Sequence, residues 1–416
     1  MLILRVIFNI FDAVSGLHIN WGKSFIYPIN TVEDLAEKLG GKVGELPTTY
    51  LGMPLGAKSK SKNIWSGVIE RCEKRLAYWK SQYLSTGGRF TLVSSVMDSI
   101  PSYMMSLFPI PASVTDRLDV VRRNFIWKGS EDKKKYHLVK WEELLESKKG
   151  GGLNIRRLDR HNKSLMMKRL WKFASPEEAL CKEVIRSKYG MQDRWITKEV
   201  TTPYNCSVWR SIRKLWQLVS TRTSCKVGNG EKVAFWKDIW CGQWPLNQNF
   251  PELYNLCQAQ DATVAELWTG QGWNLRLRRN LNDWEVNFIA DFQNTVPQNL
   301  NLTEEKDSLV WKVDSKGIFT VRSAYKDLTG TNTQEIRWPW RMIWKTKVPY
   351  KVNYFTWLLT KDAVLTHENL NKRKHNLCSR CHLCEEQIET VNHLFLHCNG
   401  QTNCGKCSYT RGRSGG

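Results

Sequence analysis

Hydrophobic positions in the first half of the chain recur at helical spacing. Trp65, Ile69, Cys72, Leu76, Trp79 and Tyr83 step by four, three, four, three and four residues, one seam of a helix between Ser61 and Tyr83. Arg71, Lys74, Arg75 and Lys80 fall largely off that seam, so the pattern predicts a core-facing stripe and a basic outer face. STGGRF (85–90) breaks the period, and the apolar stretch TLVSSVMDSIPSYMMSLF (91–108) reads as a second helix. Pro101 should kink or split it, because proline has no amide hydrogen and its ring clashes with the preceding turn. SEDKKK (130–135) and SKKGGG (147–152) read as charged, glycine-containing surface loops. Helical spacing resumes in NKSLMMKRLWKFA (162–174), where Lys163, Lys168, Arg169 and Lys172 add positive charge.

From about Thr201 the periodicity gives way to short Trp-rich pieces such as VGNGEKVAFWKDIWCG (227–242). SLVWKVDSKGIFTVRSAY (308–325) alternates as a β-hairpin around an Asp-Ser-Lys-Gly turn, with Ser323 placed to cap a following helix. WRMIWKTKVPYKVNYFTWLLTKD (340–362) is apolar and basic by turns, and Pro349 marks a break. No repeat at solenoid periods and no extended low-complexity tract occurs. The tail after Cys398 has almost no apolar residues and is expected to be mobile.

With 416 residues, 41% hydrophobic and 25% charged, the chain reads as two or three soluble globular domains. Charge changes the picture more. Lys and Arg number 62 against 40 acidic residues, a net +22. That imbalance favours a polyanionic partner, since neutralising phosphates releases condensed counterions, although acidic membrane surfaces also attract cations. Of the 20 Trp, several stand beside a lysine, as in Trp79-Lys80 and Trp344-Lys345. The opening MLILRVIFNIFDAV carries Arg5 and Asp12, reads poorly as a signal peptide and is too short to span a membrane. The expectation is an intracellular protein, nuclear or cytoplasmic and not secreted, with no membrane partner and no small-molecule substrate.

Thiols stay reduced in such a compartment, so the 12 cysteines suggest buried thiols and a metal site rather than disulfides. Six of them lie between Cys378 and Cys407. Zinc needs three or four soft or borderline ligands brought to one point by short loops, and a Cys-x-x-Cys turn supplies two. Cys381 and Cys384 form such a pair, with Cys378 and Cys381 in overlapping register. The second half could be His393 with Cys398, His393 with His397, or Cys404 with Cys407 as a four-cysteine ribbon. A redox reading of Cys-x-x-Cys wants a neighbouring βαβ pattern, and none is visible. Spacing alone leaves the three ligand sets open.

Several stretches together resemble one family. SGLHINWGKSFI (15–26), YLGMPLG (50–56), LSTGGRFTLVSSVMDSIPSYMMSLFPIP (84–111), FIWKG (125–129) and GGLNIRRLDRHNKSL (151–165) resemble, in this order, the reverse transcriptase of plant LINE-type (non-LTR) retrotransposons. VGNGEKVAFWKDIW, GIFTVRSAY and WRMIWKTKVPYKVNYFTWLL resemble the segment leading into that family's zinc-binding domain, and CHLCEEQIETVNHLFLHC resembles the domain's signature. On this resemblance the Zn²⁺ ligands fall on Cys381, Cys384, His393 and Cys398. The tail after Cys398 departs from the family, whose members continue with apolar, Trp-containing sequence.

The resemblance also implies an α+β, predominantly helical fold. It divides into a remnant of the palm and primer-positioning region (1–60), a helical thumb-like region (61–200), a Trp-rich connector with a β-hairpin (201–330), the zinc-binding domain (331–400) and the tail (401–416). The family's polymerase holds its metal ions with an Ala-Asp-Asp motif just upstream of the Ser-Gly-Leu stretch, and no Asp-Asp dipeptide occurs here. The expectation is therefore no polymerase activity, and zinc-dependent binding of RNA or DNA, a retroelement template or target. Lys74, Arg75, Lys80, Lys168, Arg169, Lys345 and Lys347 are the expected phosphate contacts. Within the module, part of EEQIETVN should be helical, and Leu394 and Leu396 should pack on the VNYFTWLL helix.

Overall fold

The seam that opens the sequence reading becomes a 3₁₀ turn, Asn63–Trp65, running into a helix, Ser66–Arg75. Trp65, Val68, Cys72 and Leu76 are buried and Ile69 is half-buried, so Val68 takes the innermost place on that face. The computed structural model describes residues 2–27, 42–77, 83–127, 137–201, 208–280, 282, 286–330 and 340–400. Trp79, Lys80 and the SEDKKK stretch lie outside them. Tyr83 is exposed. The fold is α+β and predominantly helical. Among the described residues its strands form three two-stranded sheets: a parallel pair, Phe25–Ile26 with Lys42–Val43, and two antiparallel pairs, Thr48–Tyr50 with Met53–Leu55 and Thr223–Lys226 with Ser308–Trp311.

The chain gathers into two units, one of residues 1–67, 103–111 and 162–324, the other of 68–102, 112–161 and 325–416. In the second, STGGRF breaks the helical run at Ser85, as expected, and then starts a new helix. Ser85 accepts a hydrogen bond from the Gly88 amide at 3.2 Å and caps Thr86–Leu92. Gly87 is needed there for space, since a Cβ would come within 2.5 Å of the Tyr350 ring. The apolar stretch that follows divides into a π turn, Val93–Met97, and a short helix, Ser102–Met105, parted at Pro101 as expected. SKKGGG is no surface loop at its end. Gly151 and Gly152 are buried, the Gly151 backbone is left-handed (φ 82°), and its carbonyl accepts from Trp357 Nε1 at 2.9 Å. The Trp340 ring fills the space a Gly151 side chain would need. Arg122, fully buried, bonds the Asp98 and Asp119 carboxylates at 2.9 and 2.8 Å. Burial outweighs the nearby arginines and pushes the Asp98 carboxyl up to about 6.

The first unit owes its core to aromatic rings. Phe235 lies 4.9 to 6.1 Å from Trp236, Trp240, Trp273 and Phe292, centroid to centroid. Trp209, Trp236 and Trp311 of the connector are buried, and Trp216, Trp240 and Trp273 pack half-buried against the core, so these six serve packing. The hairpin expected at 308–325 does not form. Ser308–Trp311 pairs instead with Thr223–Lys226, and the Asp-Ser-Lys-Gly segment is a turn leading to a helix, Val321–Thr329. Thr320 caps that helix: its hydroxyl accepts from the Ser323 amide at 3.0 Å while the Ser323 hydroxyl accepts from the Thr320 amide at 3.2 Å.

Asp307 organises the VGNGEKV loop. Its two oxygens accept from the amides of Gly228, Gly230, Lys232 and Val233 at 2.7 to 3.0 Å. Replacing Asp307 by Asn turns one acceptor into a donor aimed at two amides, so unfolding in urea followed by Trp fluorescence should show a loss of about 2–5 kcal/mol. A loss below about 0.5 kcal/mol would show that the loop holds without this carboxylate.

Candidate metal centre

Ahead of the metal site a helix, Trp340–Lys345, is followed by a short break, and Pro349 stands at the N-cap of the next helix, Tyr350–Thr360. The chain then forms a short helix, His367–Asn371, capped by the Thr366 hydroxyl on the Asn369 amide. A compact turn region follows. Cys381 N donates to Gln387 O at 2.7 Å, Glu389 N donates to Ser379 O at 2.8 Å, and Arg380 bridges Ile388. This reversal places Cys381 and Cys384 on a tight turn, with Glu385 at a left-handed backbone position (φ 59°). EEQIET is thus turn and extended backbone, not helix; only Val391 and Asn392 lead into the π turn His393–His397.

That turn carries His393 back to the cysteine pair. One ligand atom from each of Cys381, Cys384, His393 and Cys398 lies within 4.8 Å of all the others. Cys381 Sγ and Cys398 Sγ are 3.8 Å apart, and Cys384 Sγ is 3.2 Å from His393 Nε2. Tetrahedral zinc, with bonds of about 2.3 Å to sulfur and 2.0 Å to nitrogen, sets S···S near 3.8 Å and S···N near 3.5 Å. The donor set fits zinc: three soft thiols and one imidazole, with Cys381, His393 and Cys398 buried. Amides of Gln387 and Glu386 donate to the Cys384 sulfur and lower its thiol to about 6. Zinc held there would act as a structural cross-link between the turn and the His393 segment.

Cys378 and His397 are exposed and stand outside this group, and Cys404 and Cys407 lie outside the described residues. The packing expected of Leu396 does not occur. It is exposed, and Phe395 makes the contact with the Tyr350–Thr360 helix, edge to face with Phe355 at 5.6 Å. One supporting residue gave no sequence signal. The buried Glu389 carboxylate accepts from the His367 and His382 amides at 3.1 and 3.3 Å, tying the short helix to the turn. Its partner at His367 is 22 residues away, and no spacing rule connects them.

The expected phosphate contacts are placed as follows. Lys74 and Arg75 are exposed on the Ser66–Arg75 helix and, with Arg71 and Ile100, line a concavity of about 480 Å³. Lys74 pairs with Glu70 at 2.6 Å. Lys345 and Lys347 are exposed near the end of the Trp340–Lys345 helix. Lys168 and Arg169 are exposed in the other unit, where Arg169 donates to the Ser106 carbonyl at 3.4 Å.

Residues 319–404 match the family described as zinc-binding in reverse transcriptase. A protein of Arabidopsis thaliana named "Putative ribonuclease H protein" is 32% identical over 362 residues, 84% of this chain and 56% of that relative. An uncharacterized mitochondrial protein of the same plant is 29% identical over 143 residues, 34% of this chain and 92% of the relative. The chain thus spans little more than half the length of the first relative. With a reverse transcriptase zinc-binding region and plant relatives, the resemblance to plant retroelement reverse transcriptases holds. Among the described residues no helix is long and apolar enough to cross a membrane.

Zinc content of purified protein should be about one ion per chain. His393→Gln or Cys398→Ser should weaken binding by more than the roughly hundredfold that even a residue supporting a ligand can cost, while Cys378→Ser leaves it unchanged. Because the Cys384 thiolate persists down to about pH 6, affinity should fall more steeply below that pH, where a proton competes for the sulfur. A Cys378→Ser protein that lost its zinc would contradict the assignment.

Proposed function

We propose that these residues form a nucleic-acid-binding part of a reverse transcriptase, in which Zn²⁺ folds the C-terminal module and basic helix faces hold RNA or DNA by its phosphates. The single observation that carries this reading is the convergence of Cys381, Cys384, His393 and Cys398 inside the region that matches the zinc-binding family. Charge supports it: residues 331–407 carry 11 Lys or Arg against 6 Asp or Glu. The exposed placement of Lys74, Arg75, Lys168, Arg169, Lys345 and Lys347 supports it too. Nucleotide transfer is not assigned to these residues, because that chemistry needs clustered carboxylates to hold two metal ions and the sequence has no Asp-Asp pair.

A second reading is favoured by one observation. Leu377, Leu383, Ile388 and Leu396 are all exposed on the module, and apolar side chains there suit a protein partner that zinc merely presents a surface to. Binding to single-stranded RNA separates the two. Fluorescence anisotropy across a salt series should give a linear fall of log affinity with log salt. Changing Lys74, Arg75 and Lys168 together to Gln should flatten that slope by about 2, at roughly 0.7 per lost single-strand contact, and weaken all sequences alike. RNA binding that is absent, or a slope untouched by the triple change, would favour the protein-docking reading.

A further inference from the structure

The VGNGEKV loop and its surroundings hold a feature the zinc module does not explain. Beside the loop lies an open cleft of about 410 Å³. Its walls are polar apart from Pro176 and Met191, and four cations reach it: Arg186, Arg194, Lys232 and Lys306. The carboxylates around it are already engaged. Glu178 pairs with Arg186 at 3.1 Å, Asp307 is surrounded by its four amides, and Glu231 accepts from the Asn229 side chain at 2.8 Å.

The other three cations have no such partner. Among the described residues Lys232 Nζ meets only the Ala174 carbonyl, at 3.1 Å, and the face of the Trp195 ring, at 4.1 Å. Arg194 donates twice to the Asp261 carbonyl, a neutral group, and among the described residues Lys306 makes no ion pair, although after Arg186 it helps hold the Glu178 carboxyl below its usual value. Desolvation, with Arg186 and Lys182 nearby, lowers Lys232 to about 8. The charge on half-buried Lys232 is thus opposed by burial and by two neighbouring cations, with Glu178 offsetting them only in part, and an anion in the cleft relieves that cost.

We propose that this cleft is a second, zinc-independent site for the phosphodiester backbone of a nucleic-acid strand. Phosphate is the chemistry that matches guanidinium and ammonium donors around one cleft. A free nucleotide would ask for an apolar slot for its base, and the lining offers only Pro176 and Met191. Asp307 serves as a positioning residue, since it fixes the backbone that carries Lys232. The site extends the reading of nucleic-acid binding but does not depend on the metal centre.

The test uses the full chain with zinc removed by a chelator and a fluorescent single-stranded oligodeoxythymidine. Binding should persist after chelation. Arg194→Gln with Lys306→Gln, both exposed and tolerant of change, should weaken it about tenfold and lower the salt slope by about 1.4, two contacts at roughly 0.7 each. Lys214→Gln with Lys226→Gln, the same loss of charge at exposed positions of the same unit, should change neither by as much. Equal effects from both pairs would reduce the result to net charge and overturn the proposal. So would complete loss of binding on chelation. Displacement of the oligonucleotide by inorganic pyrophosphate or a nucleoside triphosphate at equal concentration would assign the cleft to free phosphates instead.

Discussion

Four ligand atoms brought within 4.8 Å are the constraint on which the C-terminal module depends. Between residues 364 and 400, Val391 is the only buried aliphatic side chain; the other buried groups are Cys381, Cys398 and the polar Thr366, Asn369, Glu389 and His393. So small an apolar core cannot offset the entropy of ordering the segment. A structural zinc ion contributes on the order of 10 kcal/mol, and because its ligands converge only in the folded state, that binding energy is folding energy. Glu389 and the Phe395–Phe355 contact then set how the metal turn meets the helices before it.

Local patterns were legible in the sequence where one element decides its own shape. The seam from Trp65 to Leu76 is buried as its spacing implies, and Pro101 and Pro349 each stand in a break, directly before the first residue of the next helix, where a missing amide hydrogen costs nothing. Features set by distant partners were not legible. Gly87 and Gly151 look like loop glycines, yet each is small because an aromatic ring, Tyr350 or Trp340, occupies the space beside it. Ser308–Trp311 alternates like one arm of a hairpin, but its partner strand lies more than 80 residues earlier. Asp307 likewise lies 74 to 79 residues from the amides it holds. Alternation reports a strand and says nothing about what it pairs with.

The metal centre shows the same division. Residue type and spacing were enough to raise zinc and to name a Cys-x-x-Cys half-site, but three second halves satisfied the spacing equally. The family resemblance picks one of them, and the fold gathers the same four: the π turn from His393 directs the imidazole and Cys398 toward the pair while His397 is exposed, and Cys404 and Cys407 lie outside the described residues. The basic residues were harder still, since the sequence counts cations without saying which carboxylate each one meets. Lys74 turns out to be paired, whereas Lys232, Arg194 and Lys306, none of them among the expected phosphate contacts, form no ion pair among the described residues.

Zinc K-edge X-ray absorption of the full chain tests this account most directly. Three sulfur atoms at about 2.3 Å and one imidazole nitrogen at about 2.0–2.1 Å are predicted, with no oxygen neighbour. A shell of four sulfur atoms and no nitrogen would mean that His393 is not a ligand and that the arrangement of the module described above is wrong.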